Sequence, residues 1–290
     1  MLSRQGLRPY GRTVVVAVGF WLASLALFMV VSAFARLGLG VQEDTVCRLD
    51  CQWYQSIVMQ GYDVEPHGHA KGDAANWAFF PLHPLAARGL GWLTGLAPDR
   101  ALVWTSRVFL LLGIAAFAVA AQRRFGREAV VPAAALVAFH PYLIYAHAGY
   151  TEALYFFLST VGFMAASYGR WLTAGVAGAL LSATRLVGVV FGAVLAWALW
   201  CHKVWRSPQE AWRGILALAL VPLGLASFMA YLSWRTGDAL AFMHVMVAWG
   251  REPSNPVSWL WQGLSGQGWG QFFALAAVLG LAMSVWLWRR

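Results

Sequence analysis

An all-α polytopic membrane protein is the fold class this sequence predicts, and three observations predict it. The 290 residues are 60% apolar and 11% charged, which leaves too little polar surface to cover a soluble globule. Apolar runs long enough to cross ~30 Å of hydrocarbon at ~1.5 Å per residue recur along the chain. Several of the 17 tryptophans, including Trp104, Trp171, Trp200, Trp212, Trp234 and Trp288, fall near the ends of those runs, where an amphipathic ring belongs at headgroup level. The net charge of +9 is scattered in short clusters between apolar runs, which suits membrane orientation and argues against nucleic acid.

The first run, Thr13–Ala35, has 23 residues without a charge. It is longer than a signal-peptide core and no small-residue cleavage site follows, so it is expected to remain as a span. Ala101–Ala121, Ala129–Ala146, Gly214–Trp234 and Gln271–Trp288 are expected to cross as well, with Ala153–Ala166 as a shorter crossing. Trp171–Trp200 has 30 residues with one charge, Arg185, near its middle. That is too long for one span, and the expectation is two short helices meeting near Thr184 and Arg185. Phe79–Leu96, with its prolines and Arg88, suits an interfacial or re-entrant helix. The sum is about eight transmembrane helices, some short, in a single membrane domain over residues 1–290, with long outer loops at 36–100 and 235–270.

Charge orients this arrangement, because inner links are rich in Lys and Arg. With both termini cytoplasmic, the inner links carry Arg4, Arg8, Arg12, Arg123, Arg124, Arg127, Arg170, Lys203, Arg206, Arg213, Arg289 and Arg290 against Glu128 and Glu210. Twelve basic and two acidic residues inside give +10; nine basic and ten acidic residues outside give −1, which together make the +9 of the chain. A single crossing over Trp171–Trp200 would put the basic "CHKVWRSPQEAWR" outside, so two crossings with Arg185 near the outer surface are the better topology.

Four polar features then share the outer side: the first loop, "HAGYTE" (His147 to Glu152), Thr184–Arg185, and the loop from Arg235 to Gly270. Asp50 is the candidate base, because Leu49, Cys51, Trp53 and Tyr54 beside it could desolvate it and raise its proton affinity; a solvated loop acid or helix N-cap is the plainer role. Glu43, Asp44, Asp63, Glu65 and Asp73 read as surface acids. Arg185, an arginine between apolar helices, marks a partner or a pathway. Its guanidinium suits a lipid phosphate, and an ion pair with Glu152 is the structural alternative. Arg107 is a second phosphate candidate, with snorkelling as its simpler role. His67 and His69 lack a third metal ligand at useful spacing, and no D-x-D pair is present to hold a nucleotide sugar, so no cofactor is expected and a divalent metal, though possible, is not indicated. Cys47 and Cys51, four apart on the oxidising side, are compatible with a disulfide, and Cys201 inside with a free thiol.

"LDCQWYQSIVMQGYD" followed by "NWAFFPLHPL" resembles the first luminal loop of the GPI mannosyltransferase 2 (PIG-V) family. "HPYLIYAHAGYTEALYFFLSTVGF" and "ALLSATRLVGVV" are similar to two later blocks of that family, in the same order, and the resemblance covers roughly Arg48 to Val190. Asp50, Glu152 and Arg185 match; Leu49 stands in place of a tryptophan, His83 of an aromatic residue and His140 of an asparagine. The chain is shorter than eukaryotic members, which points to a bacterial relative in the cytoplasmic membrane with its site on the periplasmic face.

The resemblance implies a GT-C-like helical bundle that takes mannose from a polyprenyl-phosphate sugar donor and passes it to a glycan or glycolipid acceptor. It implies Asp50 as base, Arg185 with Arg107 on the donor phosphate, and Tyr150 and Glu152 positioning the substrates. Trp53, Tyr54, Trp77, Phe79, Phe80, His83 and Thr184 would line the sugar and lipid pocket. A lipid-carrier flippase and a catalytically degenerate partner subunit are the alternatives from other classes.

Overall fold

Among the described residues, three helical stretches are long and apolar enough to cross a membrane: Gly11–Gly38, Pro98–Phe125 and Pro208–Thr236. Four shorter apolar helices join them, Glu152–Ser167, Trp171–Ser182, Leu186–Cys201 and Trp269–Met283. The computed structural model describes residues 10–38, 46–69, 72–251 and 255–288. Arg4, Arg8, Glu43, Asp44, Lys71, Glu252, Arg289 and Arg290, which enter the charge count above, lie outside the described residues. The backbone divides into two compact units, Met1–Val245 and Met246–Arg290.

In the first unit, α1 (Gly11–Gly38) is apolar all round and buries only a narrow stripe, Thr13, Ala17 and Ser24. The polar stretch that follows α1 folds as α2 (Asp50–Gln60), a short antiparallel hairpin of β1 (His67–His69) and β2 (Gly72–Ala74), and α3 (Leu82–Thr94). Gly61 and Gly95 end the two helices at positive φ, a conformation that suits glycine. α4 (Pro98–Phe125) has Pro98 at its first position, Asp99 in its first turn and Arg123 and Arg124 in its last, each matched to the helix dipole.

The run Ala129–Ala146 is not one helix. It breaks into α5 (Val130–Ala138) and α6 (Leu143–His147) at His140–Pro141, because Pro141 lacks an N–H and disfavours helical geometry in the residue before it. α7 (Glu152–Ser167) follows, packed between α4 and α8 (Trp171–Ser182). The chain then reverses: Gly188 lies so close to the end of α8 that a Cβ there would stand 2.2 Å from the Leu181 carbonyl. α9 (Phe191–Cys201) runs back, and α10 (Pro208–Leu220) and α11 (Leu223–Thr236) form the third long stretch, followed by α12 (Ala241–His244).

Among the described residues, apolar clusters hold this unit together. One joins α1, α4 and α5 through Ala17, Leu110, Ile114 and Ala134; another joins α7, α8, α9 and α10 through Leu158, Leu181, Leu195 and Ala217, with Val221 just beyond α10. Between α8 and α11, small residues let the backbones meet. A Cβ on Gly224 would lie 2.0 Å from the Ala179 carbonyl oxygen. The Ser182 hydroxyl, donating to the Val221 carbonyl at 2.6 Å and accepting from the Leu225 N–H at 3.2 Å, pins the same seam. Gly224→Ala is therefore expected to destabilise the protein by about 1–3 kcal/mol, read as a lowered thermal transition in detergent.

The second unit contains α13 (Pro256–Ser265) and α14 (Trp269–Trp288). Asn255 caps α13 by accepting the Val257 N–H at 2.9 Å, and Gly263 packs on Ala274.

Candidate functional site

The helix bearing Asp50 starts abruptly. Leu49 before it holds φ at 50°, a left-handed conformation that costs a non-glycine residue about 1–2 kcal/mol, and Cys47 and Cys51 on either side are joined in a disulfide. Cys51, Tyr54 and Ile57, three residues apart, form the buried face of α2. Asp50 lies at the first residue of α2 and is exposed, and Leu49 is 73% exposed. The desolvation expected of its neighbours is thus absent, because Cys51 and Tyr54 turn into the protein while Leu49 and Asp50 project from its first turn.

The segment after α6 docks on this start. The Gly149 N–H donates to the Val46 carbonyl at 3.2 Å, and the Tyr150 hydroxyl donates to the Arg48 carbonyl at 2.8 Å. Gly149 is required here, since a Cβ would stand 2.3 Å from the Cys51 sulfur. Ser106 on α4 holds the segment from behind by donating to the Tyr150 carbonyl at 2.7 Å. Burial first, and the Asp50 charge second, push the Tyr150 phenol up to about 12.

Arg185, in the reversal between α8 and α9, reaches the next two residues. Its Nε donates to the Thr151 hydroxyl at 2.8 Å and its Nη2 to Glu152 Oε1 at 2.5 Å. The pair is not sealed, with side chains 41% and 34% exposed, and Glu152 Oε2 is buried without a partner. The ion pair that the sequence offered as the structural role of Arg185 is therefore present, and it leaves the guanidinium open to a further anion.

Tyr54 and His83 close the inner wall. Their rings meet edge to face at 5.4 Å. Burial pushes the Tyr54 phenol well above its ordinary range, partly offset by the Arg185 charge and the Thr151 hydroxyl. His83 is fully buried and neither ring nitrogen has a hydrogen-bond partner; it lies against the Gly149 backbone in an alignment short of a hydrogen bond. Burial is the main cause holding its imidazole at about 3, so it is neutral at ordinary pH. Asp50, Tyr54, His83, Tyr150, Glu152 and Arg185 thus converge from four separate segments of the sequence.

A buried polar knot supports this wall, and sequence reasoning missed it. Asp63 and Asn76 exchange two hydrogen bonds, Asn76 N–H to Asp63 Oδ2 at 2.9 Å and Asp63 N–H to Asn76 Oδ1 at 3.0 Å. The Asn76 amide also donates to Gly61 O and Ser56 Oγ, and Trp77 Nε1 donates to the Asp63 carbonyl. Asp63, expected on the surface, and Trp77, expected in the pocket, are structural in this arrangement. Asn76→Ala leaves several of these groups unsatisfied and is expected to cost about 3 kcal/mol, measurable by denaturant titration. Trp53 stacks on Phe79 at 5.8 Å, next to Tyr54.

Three other expected residues lie apart from the cluster. The Thr184 hydroxyl is buried and donates to the Leu180 carbonyl at 2.8 Å. Phe80 packs on Phe228 and Phe242. Arg107 sits at the joint of α1, α4 and α6, donating to the His147 carbonyl at 3.3 Å and facing Phe28 and Trp104. A largely apolar cavity of about 600 Å³ opens beside α3, walled by Leu82, Ala179, Leu223, Gly224 and Phe228, with the exposed Arg88 at its lining. No family model, curated protein or solved structure matches the chain. The reading of function therefore rests on the chemistry of the cluster.

Proposed function

We propose that this protein is a membrane glycosyltransferase of the GT-C type, with about eight crossings, which moves mannose from a polyprenyl-phosphate carrier to a lipid-linked or other acceptor at the outer face. The observation that carries the proposal is Arg185: a guanidinium fixed by Thr151 and Glu152 yet still accessible, in the same cluster as the Asp50 carboxylate. A cation that holds a leaving phosphate and a carboxylate that takes a proton are the two groups an inverting displacement needs.

In the reaction, the acceptor hydroxyl oxygen attacks the anomeric carbon and the bond from that carbon to the phosphate oxygen breaks. The hydroxyl proton passes to Asp50, and the phosphate leaves with its charge against Arg185. Asp50 is exposed in the free protein, so the desolvation that makes it an effective base comes from the bound substrates. The carrier's tail is apolar, and the cavity beside α3 has the lining to receive it. Neutral His83 and Tyr54 back the site from inside without adding charge to it.

The deciding experiment is release of polyprenyl phosphate from polyprenyl-phosphate mannose by the purified protein with a crude acceptor extract. Release by the wild-type protein is the expected result; a carrier that binds and stays intact would sink the proposal. One observation favours a second reading: Arg88 at an apolar cavity is also what a lipid transporter would offer. Carrier crossing liposomes without sugar transfer would select it.

A further inference from the structure

The disulfide beside Asp50 is fastened to the rest of the site through Val46, Arg48 and Cys51. Val46, one residue before Cys47, accepts the Gly149 N–H at 3.2 Å; Arg48, inside the disulfide loop, accepts the Tyr150 hydroxyl at 2.8 Å; and the Cys51 sulfur fills the space that a side chain on Gly149 would occupy. The loop the disulfide closes contains only Arg48, Leu49 and Asp50. Leu49 holds a left-handed φ of 50° there, with its side chain exposed and no packing to enforce it. Cys51 is fully buried under Gly149.

We infer that the Cys47–Cys51 disulfide is a redox latch that assembles the Asp50 site, so that the protein becomes competent only after its first outer loop meets a thiol-oxidising partner. The inference rests on the glycosyltransferase reading for the role of Asp50, but not for the latch itself. In the latching step the two thiols lose two protons and two electrons as their S–S bond forms. A disulfide of the oxidising partner is broken in the same exchange, and the partner leaves as a dithiol. Without the bond, the turn at Leu49 is left to the backbone hydrogen bonds from Cys51 N–H to the Arg48 carbonyl at 3.0 Å and from Gln52 N–H to the Leu49 carbonyl at 3.1 Å; the costly positive φ relaxes, and the segment 46–51 loosens its grip on Gly149 and Tyr150. Thr151 and Glu152 keep Arg185, because their contacts lie at the start of α7 beyond the fastened stretch. Cys47 and Cys51 are thus positioning residues acting through Asp50.

The test compares full-length wild-type protein, the same protein reduced with dithiothreitol, and the double variant Cys47→Ser/Cys51→Ser. Thiol titration of the oxidised protein should find one reactive cysteine of the three, the exposed Cys201; three would overturn the inference. Hydrogen exchange at residues 46–51 and 147–150 should quicken by about tenfold or more on reduction and in the variant, with α4 and α7 unchanged. In the release assay kcat should fall by at least about tenfold while KM for the donor stays within about twofold, and reoxidation should restore the wild-type protein but not the variant. Unchanged exchange on reduction overturns the latch, and so does loss of protection throughout the chain, which would make the disulfide a general staple. If no form of the protein releases carrier, the glycosyltransferase reading fails, while the exchange result still decides the latch.

Discussion

Asp50→Asn is expected to cut release of polyprenyl phosphate by about 10²–10⁴-fold, the usual share of a positioned general base, and to leave the protein folded. The fold should tolerate the change because Asp50 is exposed and because this segment is seated on Gly149 and Tyr150 through the Val46 and Arg48 carbonyls and the Cys51 sulfur. Asparagine preserves the size of the side chain at the start of α2 and removes its capacity to take a proton. The measurement is single-turnover carrier release at matched amounts of folded protein, with circular dichroism and thermal melting as controls. Full activity in a normally folded variant would remove Asp50 from the chemistry. A loss of activity together with a lowered melting temperature would show a structural role instead.

Asp50 also shows how far the sequence can be read. Its type and its neighbours were legible, but its exposure was not, since that depends on where α2 begins, and a disulfide with a left-handed leucine sets that point. The reversal at Arg185 could be read from length, because 30 residues exceed one crossing and a single arginine divides them. The break at His140–Pro141 was visible in the proline yet hidden by an apolar run of spanning length. The Asp63–Asn76 knot had no signal at all: thirteen residues separate the two, and only the packing of α2 against the turn at Trp77 brings them together. Gly149 is similar, an ordinary loop glycine in sequence whose missing side chain makes room for a buried sulfur.

Arg185→Ala is expected to lower turnover by about 10²–10³-fold, the scale of losing one pre-organised contact to developing charge, and to weaken donor binding as well. Arg185 has two partners inside the protein, however, and an activity loss alone would not separate a phosphate clamp from a scaffold. Glu152 supplies the distinction. The Arg185–Glu152 pair is partly exposed, so its net contribution to stability is about 0–1 kcal/mol. Removing only the arginine leaves Glu152 with one buried, partnerless oxygen and an unmatched charge, which costs more. Removing both groups relieves that charge. The double variant Arg185→Ala/Glu152→Ala should therefore regain stability relative to Arg185→Ala, with a coupling of up to about 1 kcal/mol. Its turnover should stay at the level of the single variant, because no cation faces the departing phosphate. Recovery of both stability and activity would mean that Arg185 serves only to neutralise Glu152, and the phosphate would then have to be held elsewhere.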